Sequence, residues 1–303
     1  MTNLEEATYV LGIEITRDRE RGPLGFSQKR YVEKILKRFN MVDCASGSVP
    51  MTKGDKLSES QAPQNDIERQ DMRDKPYTSL VDNLLYAQVC TRPDIAFLIS
   101  VLGRFQSNLE QAHWVAGKKV LRYLQRIKDY KLVYKMSQNL ELIGYVDADL
   151  GGCLDIKKTT SGFVFLFGGW AVSWKSVKQS LTATSTMQAE YIACYEATSQ
   201  AIWLRNLIRS LRVVESIERP ILIWNDNIAT VFFTKSNKRS SGNRHLDFKY
   251  YMVREKVKSG DIVVEHTDTH SMIADPLNKA LLATVFHGHV KSMGLLPSFH
   301  MLD

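Results

Sequence analysis

The spacing of apolar positions changes character near residue 140. Before that point strict alternation is confined to Tyr9–Ile15 and Gly25–Ser27, two short strands joined through Arg21-Gly22-Pro23. From Gln28 to Met41 apolar residues fall four apart, at Tyr31, Ile35 and Phe39, while Lys34, Lys37 and Arg38 take the remaining surface. That spacing predicts an amphipathic helix. Residues 44–76 lose periodicity and are rich in Ser, Asp and Gln, as expected of a linker or long loop. Helical spacing returns at 78–91, at 93–105 with Pro93 in a first turn, and at 113–128.

Beyond residue 140 strand patterns dominate. Leu142–Asp149 alternates, and 162–167 with 171–175 predict a hairpin closed at Gly168-Gly169. One long helix is expected over 187–211, then an apolar strand at Ile221–Asn225 and helices at 228–234 and 247–259. A strand at 261–266 and a short helix at 274–282 complete the series. The order β-β-β-α-β-α-α-β-α predicts a mixed α/β domain with an antiparallel start.

Composition narrows the function classes. The 303 residues are long enough for two domains, and 44% hydrophobic with 24% charged is ordinary for a globular protein. The net charge of +7 favours a polyanionic partner without proving one. The excess lies mostly in residues 1–140, where 22 Lys and Arg face 17 Asp and Glu, which suits a basic grip beside a less basic chemical centre. Within the helix at 113–128, Lys118, Arg122 and Arg126 recur every four residues; they form either a phosphate-tracking ridge or a solvated face. Four scattered cysteines show no metal-binding spacing. No signal peptide opens the chain, and no apolar stretch approaches the roughly 20 residues of a membrane span, so an intracellular protein without a membrane partner is expected.

The candidate chemistry is acidic. Asp147 lies in Gly-Tyr-Val-Asp-Ala-Asp, Glu190 in Gln-Ala-Glu-Tyr, Asp226 in Ile-Trp-Asn-Asp-Asn and Asp275 in Ile-Ala-Asp-Pro. Each has an alternative reading. Asp147 and Asp149 share a strand face and read equally as solvated strand-end acids, and Asp226 and Asp275 as helix N-caps. Glu190 is harder to dismiss, because it shares a face with Cys194, Ala197, Ala201 and Leu204 and has no basic residue within a turn. The set carries more than its members. Four acids at strand ends and helix starts can converge above one sheet, and converging carboxylates require a hard divalent cation.

Residues 141–283 resemble the ribonuclease H domain of copia-type LTR retrotransposon Pol polyproteins. The matching stretches are 144–149, Thr-Thr-Ser-Gly-Phe-Val-Phe (159–165), Val-Ser-Trp-Lys-Ser (172–176) and Ala-Glu-Tyr-Ile-Ala (189–193). They continue through Ala-Ile-Trp-Leu-Arg (201–205), Asn-Asp-Asn (225–227), Arg-His-Leu-Asp (244–247), Val-Arg-Glu-Lys-Val (253–257) and Ile-Ala-Asp-Pro-Leu (273–277). Residues 8–135 resemble the segment after the reverse transcriptase palm, through Leu-Gly-Ile-Glu-Ile, Ser-Gln-Lys-Arg-Tyr-Val, Thr-Arg-Pro-Asp-Ile-Ala and His-Trp-Val-Ala-Gly-Lys-Lys. Three positions depart from the family beside the expected site: Leu150 replaces Trp, Gln188 closes a Thr-Met-Gln in place of Ser-Thr-Glu, and Asn278 replaces Thr.

The resemblance implies a ribonuclease H-like mixed five-stranded sheet flanked by helices, preceded by a mainly helical thumb- and connection-like region. The implied divisions are 1–43 for the post-palm segment, 44–76 for a linker, 77–135 for the helical connection, 141–283 for the ribonuclease H-like domain and 284–303 for a tail. It further implies an endoribonuclease for the RNA strand of RNA–DNA hybrids, with Asp147, Glu190, Asp226 and Asp275 holding two Mg²⁺ ions about 3.5–4 Å apart, Mn²⁺ being a substitute. Asp147 would bridge the ions, and Asp275 would hold the second more loosely. Ser161 is a candidate for contacts to RNA by position, and Arg244, His245 and Lys249 for contacts to phosphates. His266 and His270 flank Asp275, either as proton shuttles or as loop residues without a role. The family's Tyr-x-Asp-Asp motif is absent, so no DNA synthesis is expected without a palm and fingers supplied in cis or in trans. Hybrid and primer–template duplex are the expected partners, in a cytoplasmic particle or the nucleus. The alternative is a retroelement remnant that binds nucleic acid or protein without catalysis.

Overall fold

The computed structural model describes residues 6–55, 57–61, 63, 65–137, 139–153, 155, 157–212, 215–236 and 244–302. The chain divides into two compact units, one formed by residues up to 136 together with those from 280, the other by residues 137–279.

The first unit begins with β1 (Tyr9–Val10), β2 (Ile13–Arg17) and β3 (Leu24–Ser27), followed by α1 (Lys29–Arg38). The segment expected to be a structureless linker contains α2 (Asp66–Arg73), whose N-terminus is capped by Asn65 accepting from the Glu68 amide at 2.9 Å. Next come α3 (Tyr77–Cys90), α4 (Ala96–Leu102), α5 (Gln111–Arg126) and β4 (Lys131–Tyr134). The helix expected at 93–105 is α4 flanked by 3₁₀ turns at Pro93–Ile95 and Gly103–Phe105. Val32, Ile35 and Leu36 of α1, Leu80 and Leu84 of α3, and Val120, Leu121 and Leu124 of α5 are all buried. Set among them is an ion pair: Arg92 donates to both carboxylate oxygens of Asp94 at 2.9 and 2.6 Å, and the Tyr123 hydroxyl donates to Asp94 at 2.6 Å.

The second unit holds β5 (Leu142–Asp149), β6 (Thr160–Phe167), β7 (Trp170–Lys178), α6 (Thr186–Leu211), β8 (Ile221–Asn225), α7 (Ile228–Lys235), α8 (Arg244–Lys258) and β9 (Ile262–His266). The sheet order is β7-β6-β5-β8-β9, with β7, β6 and β5 antiparallel and β5, β8 and β9 parallel. This is the mixed five-stranded ribonuclease H-like sheet. Gly168 and Gly169 close the β6–β7 hairpin with positive φ at both positions, the geometry a two-residue hairpin loop needs. α6 lies on the sheet and buries Tyr191, Cys194, Ala197, Ala201 and Leu204 with Val146, Phe163 and Phe165. Tyr191 packs edge-on against Phe233 of α7 and Tyr250 of α8, which joins the three helices on that side. The short helix expected at 274–282 is reduced to a 3₁₀ turn at Asp275–Leu277, because Asn278 leaves helical geometry at φ −137° and turns its side chain inward.

Residues expected to form a tail return to the first unit as α9 (Ala283–Ser292) and β10 (Leu295–Leu296). There the sheet order is β1-β2-β3-β4-β10, antiparallel throughout. Phe286, Val290, Leu295 and Leu296 are buried, which is why this stretch folds.

Candidate metal centre

The carboxyl ends of the parallel strands β5 and β8 lie side by side, with Tyr145 in register with Trp224. Clefts at such ends are where sheets of this kind bind ligands. Asp147 stands on β5 in this region, and Asp226 follows β8 directly. Glu190 sits in the first turns of α6 and reaches them from the helix layer. One carboxylate oxygen from each of Asp147, Glu190 and Asp226 lies within 4.8 Å of the others, the only such acidic trio among the described residues.

Local chemistry explains why each acid points inward. Ser185 caps α6 by accepting from the Gln188 amide at 3.2 Å, and Gln188 reaches back to accept from the Thr184 amide at 2.6 Å. Gln188 therefore departs from the family without losing the cap. At the end of β8 three consecutive residues divide the work. Asn225 donates to Glu190 at 2.9 Å, and Asn227, not Asp226, caps α7 by accepting from the Thr230 amide at 2.9 Å. The N-cap reading of Asp226 therefore falls away. Its carboxylate instead accepts from Thr269 at 3.1 Å. Glu190 also accepts from the Ala148 amide at 3.1 Å, which ties α6 to β5.

Asp275 stands outside the trio. It opens its 3₁₀ turn without capping it, and shares a side-chain hydrogen bond with Asp147; Lys279 bridges the same two acids, its ammonium 2.9 Å from Asp275 and 2.8 Å from Asp147. Asn278 donates to the same Asp147 oxygen at 2.7 Å, so the asparagine that replaces the family's threonine is a partner of the site. The turn is seated on Gly162 of β6. A Cβ there would lie 2.8 Å from Leu277 Cβ and 3.2 Å from the Ala274 carbonyl oxygen, and no side chain fits. We expect Gly162→Ala to lift this turn and cost about 1–3 kcal/mol by overpacking. Urea unfolding measures that loss, and Asp147 should lose its Asn278 contact in the same variant.

The electrostatics are those of crowded anions. Burial, then the charge of Asp147, pushes Glu190 well above the usual carboxylate range. The same two causes raise Asp226, against the Thr269 hydrogen bond, and raise Asp275 to about 8. Burial works to raise Asp147 too, but Lys279 and the hydrogen bonds around it hold this one acid below the usual range. A hard divalent cation suits such a set: all the donors are carboxylate oxygens, they arise from separate elements, and three of them already converge.

The other expected site residues are more dispersed. Ser161 is fully buried and accepts from Gln179 at 2.9 Å, so it does not face a nucleic acid; β6 is covered on both faces, which turns the residue inward. The Lys249 ammonium lies 4.1 Å from the Tyr195 ring centre beside Glu196, half-buried on α6. Arg244 and His245 open α8, and their side chains lie outside the described residues. In the first unit, Lys118 lies over the Trp114 ring at 5.5 Å, Arg122 donates to the Ala45 carbonyl at 2.8 Å, and Arg126 is exposed. His266 and His270 are exposed. Leu150 is exposed directly after β5. Asn225, Thr269 and Lys279 escaped the sequence reading as site residues. Only the four-residue spacing of Asp275 and Lys279 offered a signal.

Comparison with known proteins places the chain. No protein-family model matches it. The Retrovirus-related Pol polyprotein from transposon TNT 1-94 of Nicotiana tabacum is 36% identical over 281 residues, 93% of this chain and 21% of the relative. The corresponding polyprotein from transposon RE1 of Arabidopsis thaliana is 31% identical over 96% of this chain and 19% of its own length. The chain thus spans about a fifth of the length of these polyproteins. Among solved structures, LC11-RNase H1, isolated from compost by a metagenomic approach, aligns over 46% of this chain and 94% of its own, with 17% identity and a TM-score of 0.35. Among the described residues no helix is long and apolar enough to cross a membrane. With motifs matched along nearly its whole length and residues 137–279 folded as a ribonuclease H-like domain, the chain belongs to the copia-type retrotransposon Pol polyprotein family.

Proposed function

We propose that residues 137–279 form an endonuclease domain that hydrolyses the RNA strand of RNA–DNA hybrids with divalent cations. The observation that carries this reading is the convergence of Asp147, Glu190 and Asp226 within 4.8 Å at the carboxyl ends of β5 and β8. Asp147, Glu190 and Asp226 would hold the first ion, and Asp147 with Asp275 a second. An ion bound there brings a water whose pKa is lowered toward neutrality and neutralises charge on the scissile phosphate.

The protein's own residues do the positioning. Asn225 and the Ala148 amide fix both oxygens of Glu190, and Thr269 fixes one of Asp226. Asn278 and Lys279 orient Asp147. Preorganised in this way, the carboxylates have little reorganisation left when substrate arrives. The basic excess of residues 1–140 would hold the duplex, with Arg122 and Arg126 its exposed members on α5 and Lys118 half-buried beside them. The test is hydrolysis of an end-labelled hybrid in Mg²⁺: cleavage of the RNA strand alone, abolished by EDTA, is expected. A folded chain that binds the hybrid and leaves it intact would instead be a binding remnant.

The raised acids set a pH dependence. In metal-free protein Glu190, Asp226 and Asp275 keep protons to higher pH than the unfolded chain does, so the folded state binds more protons between about 4 and about 8. Stability from these groups falls as pH rises through that window. Asp147 has the opposite sign, and its contribution is lost only as pH falls below the usual carboxylate range. Cation binding requires the deprotonated acids, so added Mg²⁺ should raise the melting temperature more at pH 8 than at pH 5. Scanning calorimetry with and without EDTA reads this difference, and an equal Mg²⁺ effect at both pH values would count against the centre.

A further inference from the structure

Lys279 has a place that its neighbours in sequence do not explain. Its ammonium lies 2.8 Å from Asp147 and 2.9 Å from Asp275, two side chains only 4% and 6% exposed, while the lysine itself is 30% exposed. The backbone sets this up, since the Lys279 amide bonds to the Asp275 carbonyl at 3.2 Å and places the two side chains on one side of the turn. Asp147 is shared: it belongs to the acidic trio on one side and to the lysine pair on the other. A cation coordinated by both Asp147 and Asp275 would meet the ammonium at close range, where like charges repel strongly in a half-buried site. The trio of Asp147, Glu190 and Asp226 contains no such internal cation.

We propose that Lys279 is a built-in counter-ion of the cluster, standing in for a divalent cation between Asp147 and Asp275 and leaving when a second ion binds there. This rests on the metal-centre reading above. It makes Lys279 a positioning residue that renders the two ions unequal. The first enters the trio with only protons to displace, and the second binds only at the cost of an ion pair. The partial exposure of Lys279 provides the way out, because its long flexible stem can carry the charge into water.

The test is Mn²⁺ binding to the full chain, followed by calorimetry and by the electron paramagnetic resonance of free Mn²⁺. The unaltered chain is expected to bind one ion, and a second at least about tenfold more weakly. Lys279→Met should tighten the second site about tenfold, equivalent to ~1.4 kcal/mol, and Lys279→Arg should restore the wild-type inequality. Lys235→Met, which removes the same charge from an exposed pair with Glu265, should change neither site. An unchanged second site in Lys279→Met overturns the proposal while leaving the metal centre intact. Absence of Mn²⁺ binding in the unaltered chain overturns both. Should Lys279→Met fail to fold, the unaltered chain can be acylated at increasing Mg²⁺ and its lysines read by mass spectrometry. Labelling of Lys279 that rises with Mg²⁺ supports release of the ammonium, and labelling that stays flat overturns it.

Discussion

Replacing Asp147 with asparagine is expected to reduce hydrolysis of an RNA–DNA hybrid by at least about a thousandfold, the scale on which one preorganised electrostatic group acts. Asp147 is the acid common to every arrangement at the site: it converges with Glu190 and Asp226, and it is joined to Asp275 both by a side-chain hydrogen bond and by Lys279. Asparagine keeps the shape and can still accept from Asn278 and Lys279, so the fold should survive while the charge is lost. Circular dichroism and hybrid binding in EDTA should match the parent chain. Asp275→Asn removes a residue outside the trio, and its loss of activity should be smaller. Equal losses for the two variants would mean that the four acids act as one undivided set. Retained activity in Asp147→Asn would place the chemistry elsewhere.

Asp94→Asn should destabilise the first unit by about 3–5 kcal/mol, the cost of leaving a buried charge without its partner. The side chains of Arg92 and Asp94 are 3% and 0% exposed, and Tyr123 adds a hydroxyl donor to the same carboxylate. Neutralising Asp94 strands the Arg92 guanidinium among apolar side chains, against the Tyr123 ring 5.7 Å away. Removing both charges, as Arg92→Met with Asp94→Leu, should cost less than removing the one. Glu265→Gln breaks the exposed pair with Lys235 and should cost under about 1 kcal/mol. Urea unfolding of the four chains distinguishes these outcomes. A loss below about 1 kcal/mol for Asp94→Asn would show that water reaches Arg92.

Elements with their own period were legible in the sequence. The alternation of Leu142–Asp149 and the long apolar stripe of α6 appear where the spacing puts them, and the Gly168-Gly169 hairpin closes as expected. Short elements held by distant partners were not. Lys131–Tyr134 is four residues long, and its neighbours are Leu24–Phe26 and Leu295–Leu296, so nothing local marks it as a strand. The same holds for β10, two residues that read as part of a tail. The helix expected at 274–282 failed for another reason. Pro276 permits a helical start, but Leu277 is drawn down onto Gly162 and Asn278 onto Asp147, and these tertiary contacts outweigh propensity.

The site divides along the same line. That four acids lie at strand ends and helix starts, where they could converge and would then suit a hard cation, follows from residue type and position, properties that the sequence by itself determines. That Asn227 relieves Asp226 of capping, that Ser161 faces inward and that Asp275 lies outside the trio, bridged to Asp147 by Lys279, were decided only in the tertiary structure. The physical reason is range. Capping and periodicity act within a turn or two of the chain, whereas the field at Asp147 is summed from Glu190, Asp226, Asp275 and Lys279, residues that only folding brings within reach.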